Sequence, residues 1–163
     1  MFNQGEMTMM LGKIFGPDVE RMGSHQDLHG LIEALSHPSY SVRRDAAVEL
    51  GRLADVRAVE PLKKLLADRS EEVRVAAAHA LGELGDSRAI EALIRALTDR
   101  YPDLRREAEF ALLKIGGTYI SPFLISLKRD RADDLGTVIM DSEEVRGLAY
   151  ALSLRLTRQK TTF

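Results

Sequence analysis

Four histidines, at positions 25, 29, 37 and 79, are the first side chains to weigh for chemistry in this chain. His25 and His29 stand four apart with Asp27 between them and Glu33 one turn on, a spacing at which a helical face can hold a divalent metal. Gly23-Ser24 before the pair and Gly30 after it weaken any helix there. The segment therefore reads as a solvated helix start, and no metal or other cofactor is expected. The chain has no cysteine, which removes thiolate nucleophiles, thiolate ligands and disulfides and fits a reducing compartment. Ser39, Ser70 and Ser142 stand where helices begin and read as helix-cap or helix-start residues. Gly82-x-x-Gly85 reads as a helix end, since no phosphate-binding loop surrounds it. No residue stands out as catalytic.

A more regular signal comes from the arginines. Arg43, Arg74 and Arg105 recur every 31 residues, and Arg146 follows 41 residues later. Such a row could track a phosphate backbone. However, Asp68 and Asp99 recur ahead of Arg74 and Arg105, and Glu71, Glu72, Glu107 and Glu109 would erode a positive stripe. The pattern predicts a structural ladder, each planar guanidinium paired with a turn aspartate of its own or the adjacent unit. A net charge of -2 and a pI near 6.1 supply no basic field, so nucleic acid is a disfavoured partner.

The elements that carry these residues follow one period. Shifting Val56–Asp86 by 31 residues superposes Leu31, Leu62 and Leu93, then Ala46, Ala77 and Ala108, then Leu50, Leu81 and Leu112. A period of this length, with apolar stripes too narrow to fold alone, signals a stacked solenoid. The 163 residues make one domain. Punctuation divides each unit into two helices. In unit one, Asp27 caps a helix running through Ser36, His37-Pro38-Ser39 breaks it, and a second helix runs from Tyr40 to about Leu53. In unit two, Asp55 opens a helix to Ala67, and Ser70 caps another to Leu84, ended by Gly85. In unit three, Asp86 opens the first helix, Tyr101-Pro102 starts the second and Gly116-Gly117 ends it. Small Ala46, Ala77 and Ala108 are the expected points of close helix approach. The fold class is an all-α, right-handed α–α superhelix of about four helix pairs with one concave wall. Its repeats cover about 27–55, 56–86, 87–117 and 118–156.

The fourth unit departs from the others. Pro122, Leu124, Ile125 and Leu127 continue the first-helix pattern, but residues 128–141 hold an insertion of roughly ten residues. Asp141 and Glu144 then have capping-box character for a last helix, followed by a polar tail, 157–163. Residues 1–26 hold five of the six methionines. Met7, Met10, Leu11, Ile14 and Phe15 fall on one face of a short helix. This extension is expected to cap the first repeat, or to offer an adaptable surface to a partner or a second copy of the chain. Nowhere do about 18 apolar residues run together, and no basic, apolar leader opens the chain. A cytoplasmic protein with no membrane contact is expected.

Helix phase then proposes a binding surface. If Val42, Ala46, Leu50 and Leu53 face the core, another stripe of the second helices faces the concave wall. It places Val48, His79 and Phe110 in one row. Asp45 and Glu107 flank that row on one side, with Arg52, Glu83 and Lys114 on the other. An apolar and aromatic strip with a charged rim suits a peptide, helix or protein partner. In the insertion, Val138, Ile139 and Met140 form a second apolar candidate for partner contact.

The run D-x-x-x-x-V-R-x-x-A-A-x-x-L-G-x-L-G-D, read from Asp68 to Asp86, has weaker copies from His37 to Asp55 and from Asp99 to Gly117. It resembles HEAT-type repeats, specifically the short kind first named from phycobilin lyases. The resemblance implies a scaffold, a regulator or a lyase-like subunit that handles tetrapyrroles. In the last case Asp45, Arg52 and His79 would meet the pigment. Deoxyhypusine hydroxylases share the repeat but carry His-Glu pairs at second-helix starts. The positions here are Arg43-Arg44, Arg74-Val75, Arg105-Arg106 and Arg146-Gly147, which removes that iron-dependent activity. A non-catalytic protein-binding scaffold is the leading expectation.

Overall fold

A computed structural model describes residues 16–117 and residue 120. Among them the chain forms α-helices and 3-10 turns with no strand, the all-α repeat solenoid that the period predicts. A short helix α1 (Val19–Ser24) precedes three pairs: α2 (Leu28–Ala34) with α3 (Tyr40–Leu53), α4 (Val59–Leu65) with α5 (Glu71–Leu84), and α6 (Ile90–Ala96) with α7 (Pro102–Gly116). The fourth unit, the insertion at 128–141, the Met7–Phe15 helix and the tail lie outside the described residues.

The second helices begin and end where their punctuation puts them. Gly85 adopts φ +62°, ψ +18° past the end of α5, a left-handed geometry that costs glycine little. Pro102 takes the first helical position of α7, where its missing N–H leaves no bond unmade. Ser39 and Ser70 hold the cap positions, yet neither side chain caps its helix. The Ser39 hydroxyl instead meets that of Ser41 at 2.7 Å, and Ser70 donates to Glu72 at 2.5 Å.

The first helices differ more from expectation. The α2 helix is shorter than predicted, although Asp27 caps it by accepting from the Gly30 N–H at 2.9 Å. Asp55 and Asp86 do not open α-helices. Each opens a 3-10 turn, Val56–Ala58 and Ser87–Ala89, and α4 and α6 begin only after it. The cause is local. The Asp55 carboxylate accepts from the Arg57 N–H at 2.9 Å and from its guanidinium at 2.7–3.1 Å, and Asp86 does the same with Arg88. These bonds favour a tight turn over an open helical one. The Arg57 guanidinium, with the Arg57 N–H, holds the Asp55 carboxyl down at about 2. The signal for this was the tetrapeptide D-x-R-A, present at Asp55 and again at Asp86.

The core runs along the stack. Leu31, Leu62 and Leu93 from the first helices and Leu50, Leu81 and Leu112 from the second are fully buried, each contributing about 2–3 kcal/mol of apolar burial. Each first helix packs on the second helix of its own unit, and the second helices pack directly on one another, α3 on α5 and α5 on α7. Ala46, Ala77 and Ala108 are buried, and the second helices also meet closely at two glycines. A Cβ on Gly51 would stand 2.9 Å from the Ala80 Cα, and one on Gly82 would stand 3.0 Å from the Ala111 Cα. Gly82, in the last turn of α5, is thus also a packing residue.

Candidate interaction surface

The histidines weighed for a metal fall on different elements. His25 stands just past α1 and its Nδ1 donates to the Arg21 carbonyl at 2.8 Å, whereas His29 lies on α2, 3.3 Å from Glu33. Among the described residues no three histidine, aspartate or glutamate side chains gather as metal ligands would.

Arg43, Arg74 and Arg105 stand at the starts of the second helices, and the first two are buried. Arg43 is buried, and its Nε and Nη2 donate to the two oxygens of Asp68, both at 2.8 Å. Its Nη1 donates to the carbonyls of His37 and Pro38, so the whole fork is used. Burial would push the Asp68 carboxyl up. The bonds from Arg43 and the Ser70 N–H outweigh that and hold it below the usual carboxylate range. Arg74 repeats the placement, with Nη1 donating to the Asp68 carbonyl at 2.7 Å and Nε 3.5 Å from Asp99. Arg105 donates to the carbonyls of Asp99 and Arg100. Arg146 lies outside the described residues. Arg43 and Arg74 join successive turns and Arg105 is tied to its own, so the three are not displayed as a basic stripe.

The free face of α3, α5 and α7 differs from a continuous apolar strip. Val48 is half-buried, packed against the core. With Asp45 and Arg52 it lines a cleft of 420 Å³ whose other wall is Pro17–Glu20, just before and within α1. The N-terminal segment therefore covers the end of the predicted row. At its centre, His79 is exposed but engaged. Its Nδ1–H donates to Glu107 on α7 at 2.8 Å, and its Nε2 stands 3.5 Å from Glu83. Lys114 donates across the helices to Glu83, holding that carboxyl below its usual range. The Lys114 ammonium also lies 5.5 Å from the centre of the Phe110 ring. The middle of the face is therefore a charged lattice tying α5 to α7. Phe110, at 51% exposure, projects beside it, with Leu113 partly exposed on the same helix. Helix phase alone could not show that α1 would lie over unit one. Val138, Ile139 and Met140 lie outside the described residues.

Stacked helix pairs of one length, joined through their second helices and by arginines at their turns, define an α-helical repeat solenoid. Residues 28–113 match the family model for HEAT repeats, more than half of the 163 residues, and the chain belongs to the HEAT-repeat family. No curated protein matches it.

Proposed function

We propose that the chain is a non-catalytic, cytoplasmic scaffold that binds a protein or peptide partner on the wall formed by its second helices. The observation that carries this reading is Phe110. It is a large aromatic ring, half in solvent, beside a lattice of fixed charges on two packed helices, α5 and α7. An exposed aromatic anchor next to rigid polar groups is what interface centres are made of. Nucleic acid suits the face poorly, because its ammonium and imidazole groups are already taken by carboxylates.

A pull-down from native cell extract, comparing the wild type with Phe110→Asp, tests the proposal. Far-ultraviolet circular dichroism establishes that the variant is folded. Loss of a partner from the folded variant is expected; a partner retained equally by both would overturn the placement.

A phycobilin-lyase-like or tetrapyrrole-handling role is the second reading, since Asp45 and Arg52 share one cleft. That cleft is also lined by Asp18, Glu20 and Glu49, which would repel a pigment's propionates. Titration with a bilin is expected to leave its absorbance spectrum unchanged. A red shift that Arg52→Ala abolishes would favour the pigment instead.

A further inference from the structure

The two arginine sites along the turns are equivalent by the repeat and unequal in use. Beside Arg43, between units one and two, lies a cleft of 470 Å³; beside Arg74, between units two and three, lies one of 630 Å³. In the first, every nitrogen of the guanidinium donates to the protein. In the second, Arg74 is only 6% exposed, yet its Nε has no hydrogen-bond partner, because the Asp99 carboxylate stands back at 3.5 Å. Tyr101 occupies the cap position held by Ser70 in the unit before. Its ring lies 4.9 Å from the Arg74 guanidinium carbon and 4.6 Å from that of Arg100. Around the larger cleft stand Lys63, Arg74, Arg95 and Arg100 against Asp68 and Asp99; Asp68 is already taken by Arg43, Lys63 is paired with Glu60 and Arg95 with Glu91. A buried donor without an acceptor is costly, and this one borders a cleft whose lining carries four cationic side chains and two aspartates, with Arg95 and Arg100 at exposed positions.

The Arg43 site shows what such a fork accepts when it is filled, namely the two oxygens of a carboxylate. We propose that the cleft between units two and three binds a carboxylate carried by an acidic peptide segment of a partner protein. The incoming oxygens complete the Arg74 fork, and Arg95 and Arg100 at the rim steer the segment in. This rests on the chain being a protein-binding module. It uses a different edge of the solenoid from Phe110, so the two can fail separately.

The test is fluorescence anisotropy of a labelled pentaglutamate peptide with the full chain, against a pentaglutamine control. Binding of pentaglutamate alone is expected. Arg95→Gln and Arg100→Gln, both at exposed positions, are each expected to weaken it about fivefold. Arg57→Gln, away from the cleft, should leave it unchanged. In parallel, the Nε–H resonance of Arg74 should move on titration while that of Arg43 stays. Absence of binding, equal affinity in the rim variants, or an unmoved Arg74 resonance would overturn the proposal. So would displacement of the peptide by inorganic phosphate at lower concentration than by acetate, which would make this a phosphate site.

Discussion

Arg43 and Asp68 form the most enclosed ion pair described, with side chains only 6% and 12% exposed. A charge so placed is stabilising only while its partner remains. Asp68→Ala strands the Arg43 guanidinium and should cost about 3 kcal/mol, read as a lower urea midpoint. The pair also makes stability depend on pH. Folding lowers the Asp68 carboxyl, so its contribution is fully present above the ordinary aspartate range and is lost as pH falls through the lowered value. The gap in stability between wild type and Asp68→Ala should therefore narrow below about pH 4. A gap that stayed constant from pH 7 to pH 2 would assign the loss to packing instead.

Among the elements, the second helices bear on each other at Gly51–Ala80 and Gly82–Ala111, where backbone meets backbone. Gly82→Ala would gain helix propensity in isolation, by about 1 kcal/mol. In the stack its new Cβ would stand 3.0 Å from the Ala111 Cα, and α5 and α7 would have to part. Overpacking of this kind outweighs propensity, and a net loss of about 1–2 kcal/mol is expected in denaturant unfolding. The same displacement should lengthen the His79–Glu107 bond, visible as a change in the His79 ring resonances. Elements starting with Pro102 or ending at Gly85 were legible in the sequence because those residues restrict the backbone locally. The 3-10 turns were written there too, in the repeated Asp-x-Arg-Ala.

Across the whole molecule, each unit leans only on its neighbours, so damage should remain local. Val19, buried where α1 packs on α3, tests this. Val19→Asp should lower hydrogen-exchange protection in Leu28–Ala34 and Tyr40–Leu53 by about tenfold, leaving Ile90–Ala96 and Pro102–Gly116 within about twofold of wild type. Loss spread evenly over all units would show a single cooperative block.

The amino-acid sequence by itself determined the repeat, the solenoid class and the bounds of the second helices. Each of these follows from local backbone restriction or from apolar spacing, which a linear pattern records directly. Only the tertiary structure decided which repeat-equivalent positions are open. Val48 and Phe110 occupy the same place in their helices. One is packed beside the N-terminal segment and the other stands half in water, because exposure depends on what lies across from a residue and not on its place in the repeat. Arg43 and Arg74 likewise share a motif. A carboxylate that closes to 2.8 Å in one cleft and stops at 3.5 Å in the next is a difference only packing can make.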